Sequence, residues 1–317
     1  MRIVFFGNGN RGVACLRQLI QAGHDIVACV VHPRKGDQWY GSVADEADAI
    51  GVPVMDPDDP NTEQLAGRLL ALQADVFVLA GYGKIIKPII IDIPRLMTVN
   101  LHSGKLPKYR GSSPMNWALI NGDTQFTITV IQVDQGVDTG PVLLERTFPI
   151  GPDDTIRELH AIANDHFPLM LAEVVAMLDK GDCPRIPQPV DGASYYPLRF
   201  PDDGLVLWDT LSADQIHNRI RALTKPYPCA FTYVDDRRVQ LIASRTRSFN
   251  FFGEPGRIYR KTDDALLVCA KDKCLWITEA VFADTQESIF PSVDRYACFA
   301  TMQRAAMALY ESRNQSC

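Results

Sequence analysis

Short apolar runs alternate with amphipathic helical stretches through the first half of the chain, and this alternation limits the fold more than any other feature of the sequence. From Met1 to about Phe148 the strand-like segments read RIVFF, DIVACVV, ADVFVLA, MTVNL and TITVIQV. Helical stretches such as GVACLRQLIQAG and NTEQLAGRLLALQ stand between them. Strands that alternate with helices form βαβ units, whose strands share a largely parallel sheet. The sequence therefore predicts a Rossmann-like α/β domain.

The second half of the chain has a different pattern. A helix is predicted from Thr155 to Lys180, followed by the Pro- and Gly-rich stretch DCPRIPQPVDGASYYPLRFPDDG, which has no periodicity. One further helix in LSADQIHNRIRALTKP precedes the short alternating runs AFTYV, VQLIASR, ALLVCA and CLWITE. Such runs are typical of a small β-barrel. We therefore expect two domains, at residues 1–200 and 201–317.

Composition excludes several classes of function. The net charge is −6 and no cluster of Lys and Arg resembles a site for a phosphate backbone, which disfavours nucleic acid as a partner. No apolar stretch approaches the ~20 residues of a membrane span, and MRIVFFGNG leads directly into a strand, so we expect a cytoplasmic protein. Eight scattered cysteines without a C-x-x-C pair predict reduced thiols and no metal site.

Asn100 and His102 stand where the fourth of these apolar runs ends, in the stretch VNLHSGKLPKYRG. Side chains two residues apart on a strand point the same way. Both can therefore face one cavity at the carboxyl end of the strand, which is where open α/β sheets place their sites.

Asp138 lies in a second polar stretch, IQVDQGVDTGPV, where Gly136 and Gly140 suit a tight loop. A carboxylate beside His102 favours the protonated ring, and an amide such as that of Asn100 can donate to a developing oxyanion. Taken singly, Asn100 can cap a turn, His102 can be a satisfied surface histidine and Asp138 can close a loop. Together they suit acyl transfer to an amine.

Gly7 to Gly12 fit G-x-G-x-x-G between the first strand and the first helix, which is the context of a dinucleotide site. The second strand ends at His32 without the acidic residue that binds the ribose of NAD. Arg34 and Lys35 leave an NADP-dependent oxidoreductase as an alternative.

The stretch Asn100–Pro114 followed by Asp134–Gly140 resembles the signature of the formyltransferases that use N10-formyltetrahydrofolate. The resemblance covers nearly the whole chain and includes LAGYGKIIKP, which is similar to the pterin-binding loop of that family. It implies His102 as the acid/base of a reaction through a tetrahedral intermediate, Asn100 as stabiliser of the oxyanion and Asp138 as the partner of His102. It also implies an OB-like second domain and a folate site formed by Lys84, Ile85, Ile86, Asp134, Gln135, Gly136 and Val137.

The acceptor is the next question. Only HPRKGDQWYGSV follows the second strand, whereas the methionyl-tRNA members of the family carry a long insertion there. WYGSV and the stretch from Ser194 to Trp208 are similar to sugar-nucleotide formyltransferases, among them the enzyme that formylates UDP-4-amino-4-deoxy-arabinose in lipopolysaccharide biosynthesis. We therefore expect an amino-sugar nucleotide as the substrate, with contacts from Trp39, Tyr40, Lys105, Arg110 and Ser112.

Other readings remain. A methionyl-tRNA formyltransferase with a trimmed loop is the main alternative, and a non-catalytic folate or sugar-nucleotide sensor is a further one. The family often forms a homodimer through its second domain, and the apolar residues of AVFADTQESIF fit such an interface. Burial in the core explains the same residues equally well.

Overall fold

The alternating runs of the first half form one seven-stranded sheet. The computed structural model describes residues 1–33, 41–246 and 250–307. Its strands up to residue 149 are β1 (Arg2–Gly7), β2 (Asp25–Val30), β3 (Val54–Met55), β4 (Val76–Ala80), β5 (Met97–His102), β6 (Arg110–Gly111), β7 (Gln125–Gln132) and β8 (Val142–Pro149). The sheet has the order β3-β2-β1-β4-β5-β7-β8. The five strands β1 to β5 run parallel to one another, and β7 is antiparallel to β5.

Helices connect these strands as the βαβ pattern predicts. They are α1 (Gly9–Gln21), α2 (Val43–Ala49), α3 (Glu63–Ala71), α4 (Pro88–Ile91), α5 (Pro114–Ile120) and α6 (Ile156–Lys180). The side chain of Ser42 accepts a hydrogen bond from Asp45 N and starts α2, and Thr62 does the same for α3 with Leu65 N. These caps satisfy donors that the first turn of a helix leaves unpaired.

The central strands are buried on both faces. Every residue of β4 is buried, as are all residues of β1 after Arg2. Phe6 and Phe77 lie in one hydrophobic cluster, with their ring centroids 5.5 Å apart. Burial on both faces explains why these strands read as continuous apolar runs rather than as alternating ones.

The second half forms a separate antiparallel sheet. The elements of the second half of the chain are β9 (Tyr195–Tyr196), a 3₁₀ turn (Pro201–Gly204), α7 (Ala213–Leu223), β10 (Ala230–Val234), β11 (Arg237–Arg245), β12 (Ile258–Lys261), β13 (Leu266–Cys269) and β14 (Cys274–Phe282). The five strands β10 to β14 pair in the order β10-β11-β14-β13-β12, while β9 pairs with β6. Closure of this sheet into an OB-like barrel stays a prediction. Phe282, Ile289 and Phe290, which the sequence offers to a dimer interface, are buried.

The chain divides into two compact units. The first comprises Met1–Pro114, Gln125–Phe148 and His160–Pro197, and the second comprises Met115–Thr124, Pro149–Leu159 and Leu198–Cys317. Two short segments from the first half of the sequence thus group with the second unit. The boundary at residue 200 was drawn from a Pro- and Gly-rich stretch, and local composition carries no information about such long-range grouping. The two-domain division stays our proposal.

Helix α6 is long and apolar enough, by length and composition, to cross a membrane. No such segment was expected from the sequence. Its apolar side chains at Ile156, Leu159, Ala163 and Phe167 are fully buried, and the same spacing continues to Val174. A buried stripe with three- and four-residue spacing is typical of a core helix.

Cys269 and Cys274 face each other on β13 and β14, a pairing that the spacing of cysteines in the sequence does not reveal. Reduced thiols stay a prediction for this pair. Cys15 and Cys29 are not in disulfides and are buried. Burial raises the pKa of each of these thiols to about 12, so they are structural groups rather than nucleophiles.

Candidate active site

Strand β5 carries Asn100 and His102 to its carboxyl end. Asn100 lies beside Leu79 of the parallel strand β4, and His102 lies beside Thr129 of the antiparallel strand β7. Asn100 is half-buried and His102 is 5% exposed. Both side chains line the same cleft in the first unit.

Residues 133–141, here called the Asp138 loop, join β7 to β8. A hydrogen bond from Gln132 N to Pro141 O closes the base of the loop at 3.0 Å. Within it, the carboxylate of Asp134 accepts hydrogen bonds from Gly136 N and from the Thr139 hydroxyl. Asp138 has a φ of +55°, a left-handed conformation that is uncommon for a residue with a side chain. The loop is thus held in one shape from inside.

This shape directs the carboxylate of Asp138 at Asn100 and His102. Asp138 Oδ2 lies 3.5 Å from His102 Nδ1 and accepts a hydrogen bond from Gly111 N at 2.9 Å. Asn100 Nδ2 donates to the other oxygen, Oδ1, at 3.5 Å. An amide, an imidazole and a carboxylate from two distant segments therefore converge at one wall of the cleft.

The other ring nitrogen of His102 is occupied by the backbone. His102 Nε2 lies 2.5 Å from Tyr109 O, and because a carbonyl oxygen can only accept, Nε2 carries the hydrogen. Gly104 makes room for this contact, since a Cβ there would lie 2.8 Å from both His102 Nε2 and Tyr109 O. The nitrogen that can exchange a proton beside the cleft is consequently Nδ1.

The cleft has a volume of about 330 Å³ and lies between residues 81–86 and the Asp138 loop. Its lining includes every residue predicted at the folate site, namely Lys84, Ile85, Ile86, Asp134, Gln135, Gly136 and Val137. Ile85 and Val137 are 71% and 46% exposed, so they offer apolar surface to a ligand. Lys84 directs its ammonium group to the carbonyls of Pro57 and Asp58 instead.

Tyr82 also lines this cleft. Its hydroxyl is buried and has no hydrogen-bond partner among the described residues. Burial, with a contribution from Asp59, raises the pKa of Tyr82 to about 12, so the phenol keeps its proton. Exposed apolar side chains with a few polar groups are the usual lining of a site for a small organic ligand.

The residues predicted to contact the acceptor are spread over different environments. Ser112 lines the cleft, and Lys105 is exposed. Arg110 is 9% exposed and is not among the lining residues. Trp39 and Tyr40 lie outside the described residues, as do Arg34 and Lys35 of the NADP alternative.

Sequence reasoning missed the residues that support these groups. Arg11, inside the G-x-G-x-x-G motif, donates from Nη1 to the hydroxyl of Ser103 at 2.9 Å. Its Nε donates to Asn164 Oδ1 at 3.3 Å, and its Nη2 lies 3.4 Å from His160 Nδ1. The motif was a signal for this loop, but nothing in it identifies partners more than ninety residues away.

Acidification is expected to destabilise the protein through His160. Burial, and secondarily Arg11, lowers the pKa of His160 from 6.5 to about 4. Between these two pH values His160 is protonated in the unfolded chain and neutral in the folded chain. The free energy of unfolding therefore falls as the pH drops from about 6.5 towards about 4. The contribution is at most about 2 kcal/mol at about pH 5.

Urea denaturation of the wild type and of His160→Gln, at about pH 7 and about pH 5, measures this effect. A glutamine can accept from Arg11 but does not titrate. The variant should lose less stability than the wild type between the two pH values. Equal losses would show that His160 is not the group responsible.

Two family models match the chain in order. One, described as formyl transferase, matches residues 1–175, and one described as formyl transferase, C-terminal domain, matches residues 200–289. Among curated relatives, a methionyl-tRNA formyltransferase of Citrifermentans bemidjiense is 33% identical over 286 residues, which are 88% of this chain and 88% of the relative.

Solved structures of similar fold include two enzymes with sugar substrates. A sugar 3N-formyl transferase crystallised with dTDP and 5-N-formyl-THF has a TM-score of 0.68 at 18% identity, covering 90% of this chain and 98% of its own. An N-formyltransferase from Helicobacter canadensis, in complex with folinic acid and dTDP-3-aminofucose, has a TM-score of 0.67 at 20% identity, covering 87% and 98%. At these identities the likeness is one of fold.

Proposed function

Because this chain belongs to the formyl transferase family, we propose that it transfers a formyl group from N10-formyltetrahydrofolate to the amino group of an amino-sugar nucleotide. The observation that carries the proposal is the convergence of Asn100, His102 and Asp138 at one cleft. A carbonyl held there meets an amide donor and an imidazole on one side. That arrangement suits attack of an amine on a formyl carbon.

The reaction needs one proton transfer besides the exchange of bonds. A bond forms between the acceptor nitrogen and the formyl carbon, the bond from that carbon to the donor nitrogen breaks, and one proton passes from the acceptor nitrogen to the donor nitrogen. His102 Nδ1 is the group suited to carry this proton, because Nε2 is bound to Tyr109 O. Asp138, 3.5 Å away, stabilises the charged ring.

Asn100 would stabilise the oxygen of the tetrahedral intermediate. Its Nδ2 donates to Asp138 Oδ1 at 3.5 Å, a long contact that leaves the amide available for a substrate oxygen. Loss of one such donor typically costs about 10²–10³ in rate.

The cleft fits the flat ring system of a reduced folate. Ile85 and Val137 offer exposed apolar surface. Lys84 through Ile86 and residues 134–137 of the Asp138 loop, which line the cleft, would hold the donor. When bound, the donor supplies the activated formyl group.

Three observations support a sugar nucleotide as the acceptor. Only twelve residues separate β2 from α2, which leaves no room for the long insertion of the methionyl-tRNA members. The chain has a net charge of −6. The solved enzymes of similar fold include one with dTDP-3-aminofucose. Ser112, at the cleft, and Lys105 would contact this acceptor, as would Trp39 and Tyr40.

Formylation of methionyl-tRNA is the second candidate, because a curated methionyl-tRNA formyltransferase is 33% identical to this chain over 286 residues. The two candidates differ in the electrostatics of binding. A tRNA complex releases counterions and weakens steeply as salt is added, whereas a nucleotide diphosphate makes fewer ionic contacts.

An acceptor panel distinguishes the candidates. The protein is incubated with N10-formyltetrahydrofolate and, in separate reactions, with methionyl-tRNA and with 3-amino and 4-amino sugars linked to UDP, dTDP or GDP. Mass spectrometry follows the gain of one formyl group. We expect formylation of at least one amino-sugar nucleotide and none of methionyl-tRNA.

His102→Ala is the matched control, because it keeps the cleft and removes the proposed proton carrier. Formylation by the wild type of tRNA alone would replace our proposal by the second candidate. Formylation of no acceptor, or equal transfer by His102→Ala, would refute the proposed chemistry.

A further inference from the structure

Gln188 binds the backbone of the Asp138 loop on both sides of Thr139. Its side-chain amide nitrogen, Nε2, donates to Asp138 O at 2.8 Å and to Gly140 O at 2.7 Å. Both hydrogens of one amide group are thus used on carbonyls two residues apart. Gln188 comes from the Pro- and Gly-rich stretch after α6, about fifty residues beyond the loop.

Arg110 fixes the direction in which this amide points. Its Nε and Nη2 donate to Gln188 Oε1 at 3.1 and 2.8 Å. Because a guanidinium group only donates, the oxygen of Gln188 must face Arg110 and its NH₂ group must face the loop. Arg110 is itself buried, and its Nη1 donates to the Tyr195 hydroxyl at 3.2 Å.

Strands β6 and β9 connect this chain of contacts to the carboxylate. Arg110 pairs with Tyr195 in their short parallel ladder. The next residue of β6, Gly111, donates its N–H to Asp138 Oδ2. Two neighbouring residues of β6 therefore hold Asp138 at two points, Gly111 at its carboxylate and Arg110, through Gln188, at its backbone.

The backbone of Asp138 needs such support. Its φ of +55° is unfavourable for a residue with a side chain and persists only where the surroundings over-determine it. One hydrogen bond from Gln188 is made to the carbonyl of Asp138 itself, and the other is made to the carbonyl of Gly140, two residues further along the loop. Without them the loop can relax, and the carboxylate moves away from His102.

We propose that Gln188 and Arg110 are positioning residues for formyl transfer, which hold Asp138 so that its carboxylate faces His102 Nδ1. This inference rests on the proposed role of Asp138. It assigns to Arg110 a task different from the acceptor contact that the sequence suggested. Neither residue needs to touch a substrate.

Gln188→Glu and Gln188→Ala test the inference. Glutamate keeps an oxygen for Arg110 but presents a second oxygen to the two carbonyls, so it cannot donate to them. Alanine removes both contacts. Gln125→Ala is the matched control, because Gln125 is an exposed glutamine at the start of β7.

The first measurement needs neither donor nor acceptor. Long-range ¹H–¹⁵N NMR spectra of the ligand-free protein report both ring nitrogens of each of the six histidines, and His102→Ala assigns the signals of His102. Both Gln188 variants should move the His102 Nδ1 signal towards its position in Asp138→Ala. Gln125→Ala should leave it in place.

The second measurement is turnover with the acceptor found in the panel above. A displacement of about 1 Å in a catalytic group can cost about 10²-fold, so we expect each Gln188 variant to lose about 10- to 100-fold in kcat. Arg110→Lys, which loses the guanidinium fork, should lose activity in the same direction. Gln125→Ala should match the wild type.

A purely structural role makes a different prediction. It would lower the unfolding temperature of the Gln188 variants and leave the His102 signals of the folded protein unchanged. Unchanged signals, or shifted signals with kcat within about twofold of the wild type, would overturn the inference. If Gln188→Ala does not fold, Gln188→Glu decides. A wild type that formylates no acceptor refutes the proposed function alone, because the NMR measurement still reports whether Gln188 holds Asp138.

Discussion

Replacing His102 by alanine is expected to lower kcat by about 10²–10⁴-fold, the usual contribution of a positioned general acid or base. The imidazole lies in the cleft wall with Nε2 held by Tyr109 O and Nδ1 next to Asp138. No other described histidine lines this cleft. Turnover at saturating donor and acceptor measures the loss.

Two comparisons make this result specific. Tetrahydrofolate binding, followed by calorimetry, should change little in His102→Ala, because the proposed folate contacts are the other residues of the cleft. His24→Ala, which alters a histidine in the turn after α1, should keep wild-type turnover. Asn100→Ala and Asp138→Ala should also lose most turnover. Wild-type rates in any of the three site variants would remove that residue from the mechanism.

Substituting Gly140 by alanine is expected to have the second largest effect. A Cβ at this position would overlap the carbonyl oxygen of Gln132, which belongs to β7 and cannot move aside as a flexible side chain can. Overpacking of this kind typically costs about 1–3 kcal/mol of stability. The Asp138 loop would move outward, and we expect kcat to fall about 100-fold because Asp138 moves with it.

Gly67→Ala is the matched control for this substitution. Gly67 lies inside α3, and a Cβ there meets nothing within 4 Å. Alanine should stabilise that helix by up to about 1 kcal/mol. Chemical denaturation and turnover of both variants test the pair. A Gly140→Ala protein with unchanged stability and kcat would show that the loop has more room than the backbone geometry indicates.

The sequence carried the outline of the fold because periodicity is a local signal. Apolar runs in the first half predicted strands that the structure places in one sheet, and His102 was singled out because it follows Asn100 by two residues on β5. The antiparallel direction of β7 was not foreseen. A short apolar run has the same pattern whichever way its strand runs in the sheet.

The supporting contacts of the site were beyond sequence reasoning for a related reason. Gln188 lies in a stretch that composition marks as a linker, and its partners are about fifty residues away. Arg110 was predicted to contact the acceptor, yet it is buried against Gln188. Such roles depend on which distant segments meet, and neither propensity nor charge pattern encodes that meeting.

The hydrogen bond from Gln132 N to Pro141 O joins the two ends of the Asp138 loop at the edge of β7 and β8. Substitutions of Val137, which is 46% exposed, would alter the entrance to the cleft while the ends of β7 and β8 keep their spacing. Val137 therefore lies at the entrance to the cleft, and its neighbour Asp138 lies beside His102. Related proteins can vary the side chain at position 137 while they keep the aspartate at position 138.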